Sequence, residues 1–293
     1  MTVEAHAKVN FTLDVCGTRP DGYHALRSVV MPISLADTIE IEATTDGSIT
    51  SDTGYDDDLC VKAARVLRNC SIDRLADCSC AGARIQVVKR IPAGGGLGGG
   101  SADAAAVLRA LNGMWGLNLS RTELAEIGAQ VGSDVPALVL GGAVLMEGRG
   151  ERVSRIGSSI EQSNNPNNRT INLVLVNPGV HSSTKDVYAM CGAREKDAPS
   201  PTDAMIAALK AGDLAQIAAT VSNDLQAPAV KLHPEIADAL TSLRTAGATG
   251  VTMTGSGSCV FGFVPDAATA ERLSAELNFK GYQSWPVQTK GIM

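Results

Sequence analysis

The sequence predicts an α+β fold in two domains, and three observations carry that prediction. The chain opens with a period-two strand. A run of six glycines in seven positions, 94–100, then leads into a helix, and a second helix follows with no strand between. A polar stretch at 158–169 separates two halves that each mix strands and helices. A strict strand–helix–strand alternation is missing, which sets this order apart from parallel α/β sheets.

In the opening strand Val3, Ala5, Ala7, Val9, Phe11, Leu13 and Val15 alternate with Thr2, Glu4, His6, Lys8, Asn10, Thr12 and Asp14. Successive side chains on a strand point to opposite faces, so Lys8 and Asn10 share a face one step apart. Turn residues follow at 17–22, and further strands are expected at 38–43 and 84–89. Asp58 opens a helix whose face carries Leu59, Ala63, Val66 and Leu67. The helix after the glycines is expected over 101–115, and Ser120 with Glu123 forms a capping box for the next, with Gly132 as its end. The second half is expected to hold a buried strand at 171–176, a charged loop at 194–201, helices to about 245, and strands at 251–253 and 260–264 joined through 255–258. The domains then divide as 1–160 and 161–293.

Bulk properties narrow the function classes. The 293 residues are enough for a substantial core, and with only 3% aromatics that core rests on Ala, Val, Leu and Ile. A net charge of −6, with no long basic run, argues against a nucleic-acid partner. No apolar stretch reaches membrane-spanning length and the first twelve residues do not resemble a signal peptide, so no membrane partner and a cytoplasmic location are expected. The seven cysteines lack the paired spacing of zinc sites and are expected to be reduced thiols.

The glycine run carries the chemistry. Glycines lose much conformational freedom on folding, so six of them make sense where backbone amides must converge and a Cβ would intrude. The run opens a helix, whose free amides and dipole favour an anion. A phosphate-binding loop is therefore expected at Pro92, Ala93, Gly94, Gly95, Gly96, Leu97, Gly98, Gly99, Gly100, Ser101 and Ala102. No lysine follows the glycines, which excludes a Walker loop. Gly94, Gly96 and Gly99 formally satisfy G-x-G-x-x-G, but helix follows helix where a dinucleotide site needs a strand. The protein-kinase signatures are absent.

The loop at 92–105 resembles the central ATP-binding motif of the GHMP kinases. Ala7-Lys8-Val9-Asn10, Arg19-Pro20-Asp21-Gly22-Tyr23-His24 and Gly132-Ser133-Asp134-Val135-Pro136 are similar to the branch of that family whose acceptor is a cytidine-diphosphate-linked methylerythritol. Asn223-Asp224-Leu225 and Thr254-Gly255-Ser256-Gly257-Ser258-Cys259 fit the same branch. The resemblance is dense over 1–152 and sparser beyond.

The resemblance implies an N-terminal ribosomal-protein-S5-like ATP-binding domain and a C-terminal α/β sandwich domain that contributes to substrate binding. It implies ATP and Mg²⁺ as cofactors, a small-molecule acceptor phosphorylated on its 2-hydroxyl, and a place in the non-mevalonate isoprenoid pathway. Asp134 falls where the family keeps its base, although by spacing alone it is more readily a cap or turn residue. Lys8, which by pattern alone is an exposed-face lysine, falls where the family keeps that base's partner. Asn10 falls on the substrate side, and Tyr23, His24, Thr184 and Tyr188 in the cytidine pocket, with an aromatic ring on each side of the base. Ser101, otherwise an N-cap, reaches phosphate or Mg²⁺. Asp58 and Lys89, which by pattern alone are as well simple surface charges, lie toward adenosine, where Asp58 departs from the asparagine expected. A mevalonate- or homoserine-type acceptor, or a relative that binds nucleotide without turnover, are the alternatives.

Overall fold

The computed structural model describes residues 1–20, 22–71, 81–157, 170–192 and 200–291. The expected linker at 158–169, most of the charged loop, Asp21, Cys78 and Cys80 lie outside the described residues.

The first strand, β1 (Thr2–Thr18), pairs antiparallel with the long β2 (His24–Thr44). The expected strand at 38–43 is only the end of β2; charged and proline residues further back hid the rest. After β3 (Ile49–Ser51), α1 (Leu59–Cys70) and β4 (Gly82–Val88) come α2 (Gly99–Met114), α3 (Arg121–Gly128) and α4 (Val135–Leu140). Then β5 (Val144–Gly148) and β6 (Arg152–Arg155) complete the first half. The sheet runs β3-β4-β2-β1, with β5 on β2 and β6 on β5.

The capping box at Ser120 forms, with Glu123 Oε2 accepting from Ser120 N at 2.8 Å. That helix ends at Gly128 rather than Gly132, and residues 129–131 continue as turns. At Gly128 an added Cβ would meet Val135 Cγ1 at 2.9 Å, so the end of α3 packs directly against α4.

The second half contains β7 (Asn172–Asn177), α5 (Thr184–Ala189), α6 (Pro201–Ala211), α7 (Leu214–Thr220) and β8 (Ser222–Asn223). It continues through α8 (Gln226–Leu232), α9 (Glu235–Thr245), β9 (Thr249–Met253), β10 (Val260–Val264), α10 (Ala267–Phe279) and β11 (Gln283–Gln288). Its sheet is antiparallel in the order β11-β7-β10-β9, and β8 joins the first sheet beside β1.

Period two decides how the second sheet packs. Leu173, Leu175, Phe261 and Phe263 belong to one core with β1 and α2, where Phe11 lies 5.9 Å from Phe261 and 5.2 Å from Phe263. Val174, Val176, Val260 and Val264 face the other way, into a core with Ile236, Leu240, Leu243 and Leu273. Both faces are buried, so these strands are near-continuous apolar runs.

Strand β1 departs from its amphipathic pattern in an instructive way. Its polar side is buried too: His6, Lys8, Asn10, Thr12 and Asp14 are all at most 4% exposed. Lys8 is therefore not an exposed-face lysine. Register shifts between His6 and Lys8, and between Asn10 and Thr12, bracket this part of the strand. Such bulges twist a strand locally and re-aim its side chains. Among the described residues no helix is long and apolar enough to cross a membrane.

Candidate active site

A buried ammonium needs an anionic or strongly accepting partner. Lys8 has two: its Nζ donates to Asn10 Oδ1 at 2.8 Å and lies 3.4 Å from Asp134 Oδ2. Asp134 stands at the N-cap of α4, but its side chain makes no cap hydrogen bond, which leaves the carboxylate for Lys8. Residues 126 positions apart in sequence thus form one acid–amine couple. Asn10 is held in turn, its Nδ2 donating to Ser28 Oγ at 2.7 Å.

The couple sits against the glycine loop. Lys8 N donates to Leu97 O at 3.0 Å, so β1 and the loop share a backbone hydrogen bond. Gly98 is the N-cap of α2 in the left-handed region, φ +68°, and a Cβ there would stand 3.1 Å from Lys8 Cε and 3.4 Å from Asp134 Oδ2. Gly96 has φ +73°, and its Cβ would fall 2.2 Å from Thr254 O. At these two positions glycine is required both by conformation and by space.

Helix α2 begins at Gly99, so Ser101 is its third residue and not its N-cap. No side chain caps the helix, and the first intrahelical bond runs from Ala102 N to Gly98 O at 2.8 Å. The amides of Gly99, Gly100 and Ser101 precede it and face the open end, the arrangement that favours an anion.

These elements border one cavity of about 1250 Å³. Of the residues given a catalytic, nucleotide-binding or substrate-binding role from the sequence, all line it except Ala102, which is 2% exposed and packs into the core behind the loop. Also on the cavity wall, Tyr188 stacks on His24 with ring centroids 5.4 Å apart and planes 26° from parallel. Burial, then the Asp134 charge, push the Tyr188 phenol up, so it remains a neutral donor. His24 Nδ1 is buried without a hydrogen-bond partner among the described residues. Thr184 shares a hydrogen bond of 2.7 Å with Ser256 in the 254–257 turn. Tyr23 is 55% exposed, with the Arg149 guanidinium 4.0 Å above its ring. The ring pair observed is therefore Tyr188 with His24, while Arg149 covers one face of Tyr23.

The other end of the cavity holds Asp58 and Lys89. Asp58 caps α1: Oδ1 accepts from Cys60 N at 2.7 Å and Val61 N at 3.4 Å, and Oδ2 accepts from Thr53 Oγ1 at 2.7 Å. Burial alone would raise its carboxyl, but hydrogen bonds from Ser51, Thr53 and the helix amides outweigh that and hold it low. Lys89 is no isolated surface charge. It bridges Asp37 and Asp103, the latter at 2.7 Å. Burial would lower its ammonium, and the two carboxylates together raise it. Burial lifts Asp103 to about 7 against the pull of Lys89.

Sequence reasoning missed several lining residues, notably Arg149, His181, Asp103 and Ser133. Ser133 and Asp103 stood inside motifs already noted. Arg149 and His181 lie in loops with no local signature, and only the tertiary fold brings them to the cavity.

Comparison with known proteins gives a uniform result. The model of the GHMP kinases N terminal domain matches residues 58–142, and that of the GHMP kinases C terminal domain matches 205–283. The chain is 41% identical over 281 residues to 4-diphosphocytidyl-2-C-methyl-D-erythritol kinase of Pelotomaculum thermopropionicum, covering 94% of this chain and 93% of that one. It is 37% identical to the protein of the same name from Symbiobacterium thermophilum, covering 99% of each. A crystal structure of 4-(cytidine 5'-diphospho)-2C-methyl-D-erythritol kinase superposes with a TM-score of 0.81 at 32% identity, covering 99% of this chain and 100% of that one. Mevalonate kinase of Methanococcus jannaschii shares the fold, with a TM-score of 0.71 at 17% identity over 99% of this chain and 98% of that one.

Proposed function

This chain belongs to the GHMP kinases, within the 4-diphosphocytidyl-2-C-methyl-D-erythritol kinase family, and on that premise we propose that it transfers the γ-phosphoryl of ATP to the 2-hydroxyl of 4-(cytidine 5'-diphospho)-2-C-methyl-D-erythritol. The observation that carries the mechanism is the 3.4 Å approach of Lys8 Nζ to Asp134 Oδ2 at the lip of the glycine loop. Phosphoryl transfer asks for positioning, charge neutralisation and a base more than for covalent chemistry.

The triphosphate lies in the cradle of 92–101, with its terminal phosphates at the open end of α2. Asp134 accepts the proton of the acceptor hydroxyl as the new oxygen–phosphorus bond forms and the bond to the ADP oxygen breaks. Lys8 keeps that carboxylate ionised and stabilises negative charge on the attacking oxygen. The proton then leaves Asp134 for solvent.

For Mg²⁺ the donor set is sparse: no cluster of three or more His, Cys, Asp or Glu suits a metal among the described residues. That fits an ion bound chiefly through phosphate oxygens and a few protein groups. Ser101, on the first turn of α2, makes no hydrogen bond with its hydroxyl among the described residues and would hold it. The ion would neutralise phosphate charge.

On the acceptor side, the unpartnered His24 Nδ1 supports a base whose polar edge meets that nitrogen, close to the Tyr188 ring. Tyr23, with the Arg149 guanidinium over its ring, borders the same base. Thr184 and Asn10 border the polyol, and Asp58 and Lys89 border adenosine. This activity places the enzyme in isoprenoid precursor synthesis, acting on a small soluble substrate.

An ATP-consumption assay with this acceptor, mevalonate and homoserine in parallel tests the assignment. The cytidine-linked acceptor is expected to exceed the others on the order of 10³-fold in kcat/KM. Preference for mevalonate or homoserine, or no turnover with any, overturns it.

A further inference from the structure

Thr254, just after β9, is fully buried. Its Oγ1 accepts from Asn10 N at 3.0 Å. Two acceptors compete for its own proton: Asn10 Oδ1 at 3.3 Å and Gly96 O at 3.4 Å. A hydroxyl has one proton to give, so it satisfies one of them at a time. Asn10 Oδ1 is the same atom that receives Lys8 Nζ at 2.8 Å. Gly96 lies in the middle of the glycine loop.

The surrounding backbone holds this hydroxyl in place. Thr254 N donates to Cys259 O at 3.0 Å, and Cys259 N donates to Gly95 O at 3.2 Å. Asn223 Nδ2 donates to Met253 O and Gly255 O, each at 2.8 Å, on either side of Thr254. The turn is pinned from both ends, and the hydroxyl is the side-chain group by which it touches β1 and the glycine loop together.

We propose that Thr254 is a positioning residue for phosphoryl transfer, its hydroxyl tying the glycine loop to the Asn10–Lys8 pair. This inference rests on the reading of the cavity given above. When the proton lies toward Gly96 O, Asn10 Oδ1 is left to Lys8 alone. When it lies toward Asn10, the amide is shared and the Lys8 ammonium is less firmly held. A shift of the glycine loop on binding phosphate would thereby be felt at Lys8 through a single atom. Thr254 touches neither nucleotide nor acceptor in this scheme, so its loss should weaken kcat more than binding.

Three variants test it: Thr254→Val keeps the shape and removes the hydroxyl, Thr254→Ser keeps the hydroxyl, and Thr254→Ala removes both. In Thr254→Val, kcat is expected to fall roughly tenfold to a hundredfold, as for a small misplacement of reacting groups. KM for ATP and for the acceptor should move by less than about threefold, and Thr254→Ser should recover kcat to within about threefold of wild type. A Val variant with wild-type kcat overturns the proposal. So does a Ser variant that loses as much as Val, because the methyl group would then be what matters. If Val does not fold, the Ala-to-Ser ratio of kcat decides in the same way. Wild-type turnover on the cytidine-linked acceptor tests the cavity reading separately. The variant ratios are taken on whichever acceptor the enzyme turns over, so the two failures remain distinguishable.

Discussion

The phosphate cradle and the acceptor wall of this cavity are built in opposite ways. The cradle is one continuous segment, 92–101, shaped by left-handed glycines and by a helix start that no side chain caps. The acceptor wall is gathered from β1, the start of β2, the start of α4, α5 and the turn after β9. The cradle works through backbone, and the wall works through side chains held by long-range packing. Changes in the two regions should therefore separate nucleotide binding from chemistry.

The largest effect is expected on the wall. Asp134→Asn should lower kcat by about 10²–10⁴-fold, the range for loss of a general base. ATP affinity measured by calorimetry should stay within about threefold. A parallel collapse of ATP binding would mean that the two regions are one.

In the cradle, Gly96→Ala must adopt φ +73° and accommodate a Cβ 2.2 Å from Thr254 O. It is expected to weaken ATP binding about tenfold or more, since both strain and displacement of the loop act against it. Acceptor binding, read by fluorescence or calorimetry, should change much less. Equal losses for both ligands would erase the contrast.

A smaller effect belongs to the aromatic wall. Tyr188→Leu removes the ring stacked on His24 and should raise acceptor KM by about tenfold, leaving KM for ATP unchanged. A matching rise in ATP KM would move Tyr188 to the other side of the comparison.

The smallest effect is a pH dependence behind the cradle. Asp103 is raised from 3.8 to about 7, mainly by burial. The unfolded chain loses this proton first, so stability declines as pH rises from about 4 toward 7. Asp103→Asn should remove that share of the decline, which thermal melts at pH 5 and pH 8 would show as a smaller difference in Tm. An unchanged difference would mean that Lys89 keeps Asp103 ionised throughout.

The same contrast explains what was legible in the sequence. The glycine loop announced itself because its chemistry is local: positive φ, absent side chains and a helix start lie within ten residues. The Asp58 cap and the Ser120 capping box were legible for the same reason. Lys8 and Asp134 were not legible as a pair from pattern, because their meeting depends on packing between β1, α2 and α4; the family resemblance supplied it. The buried polar face of β1 misled the alternation argument, since period two tells which residues share a face but not what covers it. β3, α4, β5, β6, α5, β8, α10 and β11 went unpredicted. In β11, Pro286 interrupts the pattern within a strand that, among the described residues, pairs with β7 alone, where a missing amide is tolerated.

The central claim is that Lys8 and Asp134 act as one unit at the lip of the cradle. A double-mutant cycle with Lys8→Met and Asp134→Asn, read as kcat at saturating ATP and acceptor, tests it most directly. The account predicts that the double variant falls within about threefold of the slower single variant, as for residues that act together. Losses that multiply, with the double variant slower by the product of the two single effects, would contradict it.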